Sequence, residues 1–138
     1  MPSSLEFGLR PIGTVRSPLT DPASAPRQGA EGALEAWVEI DPEYADALAG
    51  VGAGDEVVIL TWLHLGRRDV LQVHPRDDLR RPLTGVFATR SQDRPNPIGL
   101  HRVRVLDVER ARLRVGPLEA VDGTPVVDIK AVLRRSGE

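Results

Sequence analysis

"DEVVILTWLHL", residues 55–65, is an unbroken apolar run, β-branched at its start and bounded by Gly54 and Gly66. Its length and its Val/Ile content fit a strand better than a helix. Because the run does not alternate, it predicts a central strand covered on both faces. Working outward from it, "ALEAWVEI" (33–40) alternates Leu34, Ala36, Val38 and Ile40 with Glu35 and Glu39, the period of a half-buried strand. "ERARLRV" (109–115) alternates three arginines with Ala111, Leu113 and Val115, and Asp107 to Arg110 can turn it back against "HRVRVL" (101–106) as a hairpin. Further strands are expected at Ile12–Val15, in "DVLQVHP" (69–75), in "GVFAT" (85–89) and in "GTPVVDI" (123–129). Ile98 and Leu100 share one parity and Val103 and Val105 the other, so a β-bulge near His101 or Arg102 is expected to switch faces. "DPEYADALAG" (41–50) reads as a short helix, with Asp41 as N-cap, Pro42 in the first helical position and Gly50 closing it.

The chain has 138 residues, a length that fits one domain, with a core spanning about residues 11–130. Strands separated by short turn-rich loops, with one helix, predict an all-β fold, a small antiparallel barrel or sandwich rather than a Rossmann fold. Aromatic residues are only 4%, so the core must be built from Val, Leu, Ile and Ala. With no cysteine, disulfides, thiolate catalysis and Cys-based metal sites are excluded. No leader-like segment and no apolar stretch long enough for a bilayer is found, so a soluble, cytoplasmic protein with no membrane partner is expected. The net charge of −2 provides no global field for nucleic acid, and any RNA partner must be met by a local patch.

The stiffest segment is "RPNPIGL" (94–100). Pro95 and Pro97 fix φ and push the residues before them into extended geometry, so Asn96 is constrained from both sides. Such a loop either ends a strand or presents Arg90, Arg94 and Asn96 to a ligand with little ordering cost. "GVGAGDE" (50–56) imitates a glycine-rich nucleotide loop, but it precedes a strand instead of following one. His64, His74 and His101 are scattered, and no metal site is expected. His64, at the end of the apolar run, is the one expected at a pocket, against the alternative of a hydrogen-bonded rim histidine. The stripe Arg102, Arg104, Arg110, Arg112 and Arg114 is either the solvated face of a hairpin or a phosphate contact. "TDPASAPRQGAEG" (20–32) reads as a surface connector, and Asp122–Gly123 as a tight turn whose carboxylate could also bind ribose hydroxyls.

"GVFATRSQDRPNPIGL" (85–100) and "VDGTPVVDIK" (121–130) resemble the TsaA-like family, as do "PIGTVRSPL", "APRQ", "PEYADAL", "LTWLH" and "VHPRD", in the family's order. The resemblance implies a homodimeric β-barrel that uses S-adenosylmethionine near its dimer interface. It further implies methylation of N6 of threonylcarbamoyladenosine beside the anticodon of tRNA. Carried over residue by residue, the cofactor site would comprise Pro26, Arg27, Gln28, His64, Leu65, Arg90, Leu100, Asp122, Gly123, Thr124 and Pro125, with Arg94 and Asn96 toward the substrate. His101 departs from the family, which usually has Ser or Thr there. Two alternatives stay open: methylation of a small-molecule nucleophile, and a non-catalytic module that binds S-adenosylmethionine as a sensor or scaffold.

Overall fold

A computed structural model describes residues 6–20 and 34–133. Its strands in chain order are β1 (Gly13–Arg16), β2 (Ala36–Ile40), β3 (Glu56–Trp62), β4 (Gln72–Val73), β5 (Thr84–Gly85), β6 (Ile98–Glu109), β7 (Arg112–Gly116) and β8 (Pro125–Ala131). Six of them close into an antiparallel barrel in the order β1-β2-β7-β6-β3-β8, and β4 and β5 form a separate two-stranded ribbon. Closure leaves the barrel strands no open edge. The β6–β7 hairpin forms as expected, pairing Val105 with Val115 and Glu109 with Arg112. No described helix is long and apolar enough to cross a membrane.

The interior is aliphatic: Val15, Val38, Ile59, Val105, Leu113, Val115 and Val126 are fully buried. Side chains of this size fill a small barrel without a central channel, and each stabilises by about 1.5–3 kcal/mol on burial. The low aromatic content is thus matched by a core of branched aliphatics.

Four local expectations are corrected. The apolar run is β3, but only Val57, Ile59 and Thr61 point inward, while Val58, Leu60 and Trp62 are half-buried on the outside. A barrel has one interior, so the second face has no layer of helices to cover it. β6 has no bulge at His101 or Arg102, and its register with β3 runs unbroken from Trp62↔Ile98 to Glu56↔Arg104. The inward residues are Gly99, His101, Val103 and Val105, and Ile98 and Leu100 lie outside, 41% and 49% exposed. The shift lies instead between Val105 and Asp107, on the β7 side. "GVFAT" is not a strand: after Thr84–Gly85 the chain makes a 3-10 turn over Val86–Ala88, closed by Thr89 N–H donating to Val86 O. The helix over Pro42–Leu48 is 3-10, and Asp41 sits before it without a side-chain cap bond.

Candidate functional site

Several of the residues expected at the site lie where β3 ends, β6 begins and β8 begins. The turn into β8 is stitched to the exit of β1: Asp122 N–H donates to Leu19 O at 2.6 Å and Gly123 N–H to Val15 O at 2.8 Å. Ser17 N–H donates to Asp122 Oδ1 at 3.0 Å. Gly123 adopts φ +88, which a side chain would strain. Thr124 is buried and its hydroxyl donates to Val121 O at 2.7 Å, locking the turn that presents Asp122 to solvent.

After β3 the chain turns through Leu63–Gly66, with Gly66 N–H donating to Leu63 O at 2.8 Å. A Cβ on Gly66 would collide with the main-chain oxygen of Gln92, so the two loops touch backbone to backbone. Leu63 N–H donates to Pro97 O at 2.7 Å, and Arg94 N–H to Arg67 O at 2.9 Å. Arg68 completes the clamp, donating to Pro95 O at 2.7 Å and Asn96 Oδ1 at 2.9 Å while its guanidinium lies over Trp62. The proline segment lacks two N–H groups and supplies carbonyls, which Arg68 and the Leu63 N–H of the facing loop satisfy.

His64, Leu65 and Thr124 line one cavity of about 100 Å³ together with Leu19, Leu63 and Gln92. That is below the ~300 Å³ of ordinary small-molecule pockets. Arg90 and Leu100 do not line it: Leu100 faces outward on β6, opposite Leu60, and Arg90 is exposed. Arg94 is an anchor, donating from Nη2 to Val86 O and to Thr89 O, the latter at 2.8 Å; its Nε is buried with no partner among the described residues. Asn96 is exposed, with its oxygen held by Arg68. Pro26, Arg27 and Gln28 lie outside the described residues.

The reading of the sequence missed Thr61 and His101. Thr61 is fully buried, and its hydroxyl pairs with His101 Nε2 at 2.9 Å. Gly99 lies beside them, and a Cβ there would collide with the Thr61 hydroxyl and come within 2.9 Å of His101 Nε2. Burial, and then the charge of Arg90, push the His101 pKa down to about 4, which keeps the ring neutral. The signal was available in the parity of β6, since His101 follows Gly99 and precedes Val103 on one face.

The arginine stripe of β6 and β7 is met by nearby acceptors. Arg102 pairs with Glu56 at 2.9 Å, Arg114 with Glu35 at 2.6 Å and Arg112 with Glu109 at 2.9 Å; Arg112 also covers Trp37, and Arg104 donates to Gly54 O. Such exposed pairs add little stability.

Comparison with known proteins places this geometry. Residues 14–136 match the family described as the tRNA-methyltransferase O N-terminal domain. A probable S-adenosyl-L-methionine-binding protein of Methanothermobacter thermautotrophicus is 45% identical over 128 residues, covering 93% of this chain and 91% of the relative. An S-adenosyl-L-methionine-binding protein of Archaeoglobus fulgidus is 45% identical over 122 residues, covering 88% of this chain and 86% of the relative. A crystal structure of TrmO superposes with a TM-score of 0.77 at 31% identity over 97% of this chain. TrmO from Pseudomonas aeruginosa gives 0.75 at 30% identity over 96%. This chain spans 58% of the length of each of those two solved chains.

Proposed function

The chain belongs to the tRNA-methyltransferase O N-terminal domain family, and from that premise we propose that it is an S-adenosylmethionine-dependent methyltransferase. Its acceptor on this reading is N6 of threonylcarbamoyladenosine next to the anticodon of tRNA. The observation that carries the reading is the convergence of His64, Leu65 and Thr124 on one cavity, beside the Asp122 turn, at the end of the barrel where the proline loop is clamped. The inventory fits the cofactor: leucines for the flat base, an exposed carboxylate at Asp122 for ribose hydroxyls, and a guanidinium at Arg90 for the methionyl carboxylate. When bound, S-adenosylmethionine supplies a methyl already activated by its sulfonium, so the protein's work is alignment and charge balance. Arg68 and Arg94 hold the proline loop in one shape, and Asn96, its oxygen occupied by Arg68, keeps its amide N–H groups for an acceptor.

A homodimer belongs to the same proposal. Arg90 and Leu100 lie off the cavity wall, and Ile98 and Leu100 form an apolar outer strip on β6 beside half-buried Leu60 and Trp62 of β3. A second copy packed on that strip would bring one protomer's Leu100 and Arg90 to a site started by the other's His64 and Asp122.

The test is transfer of labelled methyl from S-adenosylmethionine to bulk tRNA from cells lacking this methyl group. Label in the threonylcarbamoyladenosine nucleoside is expected; cofactor binding with no label in tRNA would sink the acceptor assignment. A second reading, methylation of a small-molecule nucleophile, draws on the net charge of −2, which provides no global field for a polyanion.

A further inference from the structure

The excursion between β3 and β6, residues 66–95, carries seven arginines and four aspartates and no lysine or glutamate. Its +3 stands in a chain of net charge −2, so the rest of the molecule is at −5. The excursion also exposes large apolar side chains: Phe87 is 87% exposed, Leu79 80% and Leu71 68%. An aromatic ring held in water has no folding benefit, but it has a binding use, because every nucleic-acid base offers a face on which to stack.

The excursion is built rigidly. Its stem is the β4–β5 ribbon, pairing Gln72 with Gly85 and Val73 with Thr84. At the foot, Val86 is buried, its N–H donates to Leu71 O at 2.9 Å, and Arg94 grips Val86 O and Thr89 O. Phe87 follows Val86 and is thereby fixed outward on the 3-10 turn. The tip, His74–Leu83, is closed by His74 Nδ1 against Arg81 O at 2.9 Å. It buries no side chain around Arg76 and Asp77, yet both hold positive φ, 56 and 55. Strain of this kind without packing to repay it points to function. Arg80 and Arg81 share one carboxylate, Asp78, at 3.0 and 3.8 Å, in exposed pairs that a phosphate can displace.

We propose that this ribbon is the docking surface for an unpaired RNA loop, with Phe87 stacking on a base and Arg76, Arg80 and Arg81 meeting phosphates. The occupant is RNA because net positive charge and an exposed ring occur together on a preformed arm, which complements a polyanion with splayed bases. Both ends of the excursion, at His64–Leu65 and at the proline loop, are at the candidate site, so a loop held there is presented to that end of the barrel. The inference rests on the tRNA reading and names the surface that would serve it.

The experiment is fluorescence anisotropy of a labelled anticodon stem-loop, and of a blunt duplex of equal length, titrated with the full chain at several salt concentrations. For the wild type, the loop RNA should bind more tightly than the duplex. Phe87→Ala should weaken loop binding about tenfold, leaving the duplex little changed. Arg76→Ala with Arg80→Ala should lower the slope of log affinity against log salt by about 1.4, from roughly 0.7 for each of the two lost phosphate contacts. Calorimetry with S-adenosylhomocysteine on the same variants should match wild type, confirming an intact fold. If the wild type binds the stem-loop and all variants bind it equally well, this surface is wrong and the tRNA reading stands. If the wild type fails to bind the stem-loop at low salt while binding S-adenosylhomocysteine, both fall together.

Discussion

At one end of the barrel the start of β3 and the end of β8 border a cavity of about 1090 Å³, lined by Ile12, Tyr44, Leu48 and Ile129 among others. At the opposite end, where β3 finishes, the cavity is about 100 Å³. The larger one contains none of the residues expected to bind the cofactor, and the smaller one contains three of them, His64, Leu65 and Thr124. The ends also differ in how they are held. The small-cavity end is fixed by backbone contacts, by the Thr61–His101 pair and by Arg68 and Arg94 gripping main-chain oxygens. The large-cavity end is bordered by a glycine-rich loop in which a Cβ on Gly50, Gly52 or Gly54 would meet nothing within 4 Å. Volume therefore does not pick out the end where the residues expected to bind the cofactor come together.

The comparison is broken most strongly by pH. The folded pKa of His101, about 4, lies below the ordinary value of 6.5. Between these values the unfolded chain binds a proton that the folded chain refuses. Stability is thus complete above about pH 6.5 and falls as pH drops toward 4, by roughly 3 kcal/mol across the window. Denaturant unfolding of wild type and His101→Ser from pH 7 to 4 measures this, and the variant should show a flatter profile. Equal slopes would remove His101 from the account.

Next in size is the backbone contact between loops. Gly66→Ala should cost about 1–3 kcal/mol, because the new methyl meets main-chain oxygen and one of the loops must move. The readout is the unfolding midpoint together with cofactor affinity, both of which should fall. Arg90→Ala should weaken S-adenosylmethionine binding by about 1–3 kcal/mol at unchanged stability if its guanidinium pairs with the cofactor's carboxylate; an unchanged dissociation constant would take that residue out of the site. The smallest effect is expected at the other end: Gly52→Ala should stay within about 0.5 kcal/mol in stability and leave cofactor affinity as it is. A loss of cofactor binding there would invert the ranking of the two ends.

Much of this was legible in the chain, for identifiable reasons. β2 and β7 alternate cleanly because each buries one face in the barrel, and the hairpin joining β6 to β7 follows from that alternation. The parity of β6 was misread because its inward position before His101 is glycine, which carries no hydrophobic signal, while its outward positions carry Ile98 and Leu100. An apolar outer strip looks like core when only one chain is considered. "GVFAT" misled in the same way, since Phe87 points to solvent rather than inward. His64 and Asp122 were singled out by their place at a strand end and in a tight turn, and the motif residues around them were assigned by resemblance. The clamp beside them was not legible, because Arg68 reaches Pro95 and Asn96 across 27 and 28 residues of sequence.

The most direct measurement of the central claim is calorimetric titration of the purified chain with S-adenosylmethionine and, in parallel, S-adenosylhomocysteine. The account predicts micromolar or tighter binding of both, lost or weakened in Arg90→Ala and retained in Gly52→Ala. Absence of binding to either ligand by the folded wild-type protein would contradict it.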